Sequence, residues 1–459
     1  VIRSLRAAPL LLLGSLPLGA DDWPTLGGRP DRNMVSAEKG LPLTWNVWEK
    51  KNLKWVVDLG THNYSMPVIS GGRVFIGTNN DNPRIPAVQG DKGILMCFSE
   101  ADGRFLWQAV HDKLPTGEAE DQPRYGVCGS ATVDHDRVYY VSNRAELVCR
   151  SAADGAPVWS LDMRKDLGIS PNQACSSCPL VSGDLVFVLT GQGADHKTRK
   201  VKNPKAPSFI AVNRGTGKVA WQDSSPGDRI LWGQWGSPAY GVVEGKPQVA
   251  FPGGDGWLYA FEPATGKLIW KFNCKGHEKI SDGKPETLNQ LVATPVYSGH
   301  RVLIAVGDPE ASPDKGCLRA IDARQMGDVT KTAELWRVAG DDFWTSLSSV
   351  AVNDDLVYAV DINSKVNCLE LSTGKRLWQE DLLSSVWGSP LAAEGRVYVQ
   401  TGDGEVVVFQ AGREKKKLAI NNVVPKGAGG VFEHGTVVAA NGVLYLTGEK
   451  KLFAIASTK

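Results

Sequence analysis

Downstream of about residue 50, apolar and polar positions alternate in short runs, and clusters of Gly, Asn, Asp and Ser separate them. A period of two predicts half-buried β-strands joined by tight turns. The runs come in a fixed order. In one copy Gly236-Ser-Pro-Ala-Tyr-Gly-Val-Val turns at Glu244-Gly-Lys-Pro into Gln248-Val-Ala-Phe, then Ala260-Phe-Glu-Pro-Ala-Thr-Gly-Lys-Leu-Ile-Trp270 adds a second pair around a Thr-Gly turn. Gly388-Ser-Pro-Leu-Ala-Ala, Glu394-Gly-Arg and Val397-Tyr-Val-Gln repeat the first half. The shared Gly suits the positive φ of a hairpin turn.

Tryptophan marks the period. Trp55, Trp107, Trp159, Trp221, Trp270, Trp336 and Trp378 recur at spacings of 52, 52, 62, 49, 66 and 42 residues. Repeats of this length mean stacked or radial units, and a four-stranded antiparallel unit is a propeller blade. Copies begin near Met66, Gly129, Cys178, Ser237, Thr294, Ser348, Ser389 and Thr436. The seventh lacks its Trp near Leu418, and the eighth ends at Ile455 after three strands. Leu53 to Leu59 is the expected fourth strand, which closes the ring and leaves no open sheet edge. The expectation is an all-β, eight-bladed propeller over residues 45–459, closed by an N-terminal strand and monomeric. Residues 21–44 form an N-terminal extension.

The first 20 residues read as a secretory signal: Arg3 and Arg6, an apolar run with Leu10 to Leu13, then Leu18-Gly19-Ala20. No later run is long and apolar enough to span a bilayer, so a periplasmic or secreted protein is expected. With 51 Lys+Arg against 50 Asp+Glu, the net charge of +1 gives no basic face for nucleic acid. Among eight Cys, Cys97, Cys149 and Cys368 share one repeat position where Ala260 and Ala320 stand in other copies, and read as buried fillers. Cys128, Cys175 and Cys178 fall at the heads of neighbouring inner strands, which leaves room for a disulfide from Cys128 to Cys175 or to Cys178.

Loop lengths separate two faces. Ser70-Gly-Gly, Ser182-Gly-Asp, Asn353-Asp-Asp and Thr265-Gly-Lys are minimal turns on one face, with residues 324–334 the main exception. Residues 79–92, 108–125, 160–174, 191–207, 273–290 and 308–315 are insertions on the other. Function collects on such loops over a rigid scaffold. The residues just before each inner strand should rim the axis there, which gives a ligand-binding set of Tyr64, Arg124, Tyr125, Asn172, Gln173, Trp235, Asn289, Gln290, Trp344, Trp387 and His434. Amides and aromatics suit a polar or planar small molecule, a quinone or a sugar. Asp341-Asp342 offers a base or a calcium ligand, and the basic run from His196 reads as a solvated loop.

The turn-and-tryptophan units at Ala211–Trp221, Ala260–Trp270 and Cys368–Trp378 resemble the docking repeat of the pyrroloquinoline-quinone (PQQ) dehydrogenase superfamily. The resemblance covers nearly all of residues 45–459 and implies eight blades in which the Trp of one packs on the next. It implies two functions. One is a cofactor-free scaffold of the BamB type, with a protein partner at the axial face; the other is a PQQ- and calcium-dependent alcohol or sugar dehydrogenase. The chain lacks the adjacent Cys pair of such dehydrogenases, and Pro179 follows Cys175-Ser-Ser-Cys178 where a haem-attachment motif has His. Both departures favour the scaffold.

Overall fold

The computed structural model describes residues 22–457 apart from 118–119, 196, 276–279, 282–283, 286–289, 309–311, 424–433 and 449. Alternation along the chain becomes eight four-stranded antiparallel sheets arranged in a ring. Blade 1 runs from Val68–Ser70 at the axis to Phe105–Asp112 at the rim, and blades 2 to 7 follow in chain order. Blade 8 pairs Lys451–Ala456 with Leu53–Asp58, register Trp55 to Ala454, so chain start and chain end close the ring as expected.

Each junction is pinned by an indole. Trp55, Trp107, Trp159, Trp221, Trp336 and Trp378 donate through Nε1 to a turn carbonyl of the following blade, at 2.8–3.3 Å. In five of the six the ring also lies on the turn glycine of that blade. A Cβ on Gly103, Gly155, Gly217, Gly266 or Gly374 would come within 2.6–2.9 Å of the indole, and all five have φ near +70°. Glycine is required there twice over, for conformation and for contact.

Two junctions depart from the rule. Trp270 donates instead to Gln248 Oε1 at 2.9 Å, and Gln248 Nε2 reaches Ala323 O of blade 5. The long turn of blade 5 explains this: Gly327–Asp328 adds a parallel fifth strand beside Leu268–Asn273 and seals the indole completely. At the Trp-less seventh blade, Trp45 is buried from the N-terminal side, its backbone N–H donating to Asn421 Oδ1.

Residues 22–41 are not a loose extension. They circle the inner ends of all eight blades on the tight-turn face. Trp23 bridges Ile69; the carbonyls of Pro24, Pro30, Asp31 and Met34 accept from Val133, Tyr240, Tyr297 and Ala392 at 2.8–3.0 Å. Asn33 exchanges two hydrogen bonds with Val352, Val35–Ser36 pairs with Ala392–Ala393, and the Glu38 carboxylate accepts from Asn441 and Gly442. Arg32, fully buried, donates to Pro238 O, Thr25 Oγ1, Leu26 O, Cys178 O and Pro179 O at 2.6–3.1 Å. Inner-strand edges that would face an empty channel are thereby satisfied, and the channel is closed at that end.

Candidate functional site: a closed axial funnel

What stays open is the loop-rich end, where a cavity of about 420 Å³ sits on the axis. Its wall has two tiers, because residues two apart on an extended strand face the same way. The lower tier is a belt of hydroxyls, Ser130, Ser237, Thr294, Ser349, Ser389 and Thr436, with Cys178 on blade 3 and Met66 on blade 1. The backbone N–H of one blade donates to the hydroxyl of the next: Met66 to Ser130 (2.8 Å), Cys178 to Ser237 (2.9 Å), Ser237 to Thr294 (3.2 Å), Ser349 to Ser389 (3.0 Å) and Ser389 to Thr436 (3.0 Å). At blade 3 the Cys178 sulfur takes the acceptor's place for Ser130 N–H, at 3.2 Å.

Two residues upstream of each belt position stands the upper tier: Tyr64, Trp235, Trp387 and His434 on four blades, Cys128, Ser176, Val292 and Leu347 on the others. Tyr125, Gln173, Trp232 and Gln290 complete the mouth, and Leu26 of the N-terminal strap is the floor. Aromatic contacts join neighbours into an arc. Ring centroids lie 5.0 Å apart for Tyr125 and Tyr64, 4.1 Å for Tyr64 and His434, and 5.0 Å for His434 and Trp387. Burial, reinforced by the nearby His62, pushes the His434 pKa down to about 4, so its imidazole is neutral at ordinary pH. Among the described lining residues there is no Asp, Glu, Lys or Arg.

Of the expected set, Tyr64, Tyr125, Gln173, Trp235, Gln290, Trp387 and His434 meet in this funnel. Arg124 does not: its guanidinium pairs with Asp81 at 2.7 Å and braces exposed loops. Asn172 is buried behind the wall, where Oδ1 accepts from Trp232 Nε1 and its carbonyl from Trp235 Nε1. It positions both indoles. Trp344 lies outside the lining, its N–H donating to Asp361. Asn289 lies outside the described residues. On blades 2, 3, 5 and 6 the expected residues stand two to four positions upstream of the tier, because residue type, aromatic or amide, does not mark the register there. Counting back two from each belt position finds Cys128, Ser176, Val292 and Leu347, and in five blades that position is flagged by a following proline, as in Ser237-Pro238 and Ser389-Pro390.

Trp232 lines the mouth without belonging to the expected set; the Arg199 guanidinium stacks 3.4 Å from its ring centroid, so that part of the basic loop is not merely solvated. All eight cysteines are free buried thiols, and no Cys128–Cys175 or Cys128–Cys178 disulfide is present. The reason is local: Cys178 sulfur is held in the belt, while Cys128 and Cys175 turn to the carbonyls of Gly126 and Thr190. Burial raises the Cys128 pKa to about 12 and that of Cys175 further, which keeps both unreactive. Asp342 pairs with Arg376 at 2.6 Å, away from the funnel.

A PQQ molecule carries three carboxylates and works with a calcium ion, so its site needs cations and a cluster of acidic oxygens. The described lining offers neither, and no group of three His, Cys, Asp or Glu among the described residues is placed to hold a metal. The residues present do not fit that group.

Ring, docking indoles and axial funnel define the class, an eight-bladed propeller of tryptophan-docking repeats. The profile of the family described as outer membrane protein assembly factor BamB matches residues 90–325 and 314–458, and the chain belongs to that family. It is similar to the BamB of Yersinia pestis, 26% identical over 68% of this chain and 68% of the relative. It is also similar to a tetrathionate hydrolase of Acidithiobacillus ferrooxidans, 24% identical over 59% of this chain and 62% of that protein. The crystal structure of a quinohemoprotein alcohol dehydrogenase from Comamonas testosteroni superposes with a TM-score of 0.63 at 14% identity, over 96% of this chain and 81% of that one, a likeness of fold.

Proposed function

We propose that the protein is a binding module of the cell envelope that holds its partner at the loop-rich mouth of the axial funnel and carries out no covalent step. The observation that carries this is the wall itself: two fixed tiers of side chains, uncharged among the described residues, over a sealed floor. General acid–base chemistry near neutral pH wants a group with a pKa close to 7, and His434, at about 4, is a weak base there. Relatives named for outer-membrane protein assembly support a protein partner and a periplasmic setting; the signal-like residues 1–20 support the setting alone.

The test uses the purified full chain with PQQ and Ca²⁺ added. Trp232, Trp235 and Trp387 line the funnel, so a planar quinone seated there quenches tryptophan emission. The expected result is no dye reduction with alcohols or sugars. Dye reduction that requires both additives overturns the binding reading in favour of a dehydrogenase.

A further inference from the structure

We infer that the funnel receives the uncharged end of a saccharide, a deepening that rests on the binding reading above. Three observations converge. The first is charge: a charged ligand entering this wall would lose its hydration with no counter-charge among the described residues to replace it.

The second is unspent hydrogen bonding. Ser130, Ser237, Thr294, Ser389 and Thr436 are each nine-tenths buried and each accept one backbone N–H, which leaves every hydroxyl its own proton. Among the described residues those five protons meet no protein acceptor. Gln290 Oε1, also buried in the wall, has no donor. A ligand that satisfies both must accept from several hydroxyls and donate to an amide oxygen. Sugar hydroxyls do both; a quinone carbonyl only accepts, and a hydrocarbon does neither.

The third is shape. The Nε1 of Trp232 and of Trp235 are tied to Asn172, so both indoles are fixed and offer faces rather than N–H groups. Trp387 is held edge-on to its neighbour His434. Such faces pack against the apolar C–H side of a pyranose ring. The volume falls in the range of small-molecule sites, about 300–1,000 Å³. Leu26 blocks the floor, so a chain cannot thread through. A free sugar or the terminus of a glycan enters; the middle of a polymer does not.

The experiment is an array of immobilised neutral and anionic glycans probed with the full chain, with free cellobiose, chitobiose and β-cyclodextrin as competitors. Expected is binding to neutral glycans with free ends, competed by a disaccharide and not by the endless cyclodextrin. Competition by the disaccharide at array-relevant concentration assigns the site to free sugars, and its failure against bound termini assigns it to glycan ends. Trp387→Ala and the milder Ser389→Ala should each weaken binding at least tenfold, while Trp387→Phe keeps most of it. Binding of anionic glycans alone, a blank array, or indifference to both Trp387→Ala and Ser389→Ala overturns the inference. A blank array beside a protein partner captured at the funnel mouth leaves the binding reading standing; a partner on the tight-turn face removes both.

Discussion

Arg32 is the most consequential side chain that the repeat pattern does not announce. Its guanidinium spends all three nitrogens on five acceptors, three of them carbonyls of blades 3 and 4, with no exposed surface. Burial lowers its pKa to about 10, still far above neutrality, so the cation persists. Arg32→Ala orphans the carbonyls of Cys178 and Pro238 behind the funnel, while Pro179 O keeps the Thr132 hydroxyl, and it frees the floor at Leu26. An unsatisfied buried acceptor costs about 1–3 kcal/mol, and part of the loss is recovered because the cation's desolvation is removed as well. A net loss of ~3–5 kcal/mol follows. For the roughly 410 described residues the unfolding entropy is about 0.9 kcal/mol/K, so the melting midpoint should fall by ~3–6 °C. Differential scanning fluorimetry reads this directly. Arg29→Ala, whose side chain is largely exposed and meets Asp31 at 3.5 Å, is the comparison and should not move the midpoint. An Arg32→Ala melt within a degree of the parent would refute the claim that the strap is part of the scaffold.

Trp270→Ala should destabilise by about 3–5 kcal/mol, since that indole is fully sealed, whereas the half-exposed Trp48 should be replaceable by Ala without loss in the same melts. Deleting the chain through residue 60 removes the strand that pairs with Lys451–Ala456; the exposed edge should bring aggregation in light scattering, and a monomer with unchanged melting would contradict ring closure. His434 takes up its proton at about pH 4 when folded and near its ordinary 6.5 when unfolded. The unfolded state therefore binds more protons in between, and stability, full above pH 6.5, should fall by about 3 kcal/mol as pH drops to 4. His434→Gln should flatten that slope in melts taken across the range, and an unchanged slope would assign the acid sensitivity elsewhere. Lys267→Glu and Lys375→Glu, in tight turns of the opposite face, should leave glycan-array binding unaltered.

The ring was legible because its signal is local and repeated: alternation, Thr-Gly turns and a Trp once per unit report strand, turn and junction together. Closure by Leu53–Asp58 followed from counting strands, and the structure has it. Residues 22–41 were opaque for the opposite reason. Their partners are single backbone groups on eight different blades, and a segment whose order comes from long-range pairing carries no period of its own. The funnel was half legible. Where the upper tier is aromatic, as at Tyr64, Trp235, Trp387 and His434, side-chain type and position agree. Where it is Cys128, Ser176, Val292 or Leu347, residue type misleads and register decides. Trp270 shows the same limit, because its indole partner depends on an insertion two strands away in the next blade.

The account stands or falls on which face does the work. A photo-crosslinking residue at Tyr125, at the funnel mouth, and another at Lys375, in a tight turn of blade 6, sample the two faces of one molecule in the living cell. Ultraviolet exposure should yield a discrete adduct from the Tyr125 position and none from the Lys375 position. An adduct from Lys375 with nothing at Tyr125 would place the partner on the sealed face and contradict the funnel as the working site.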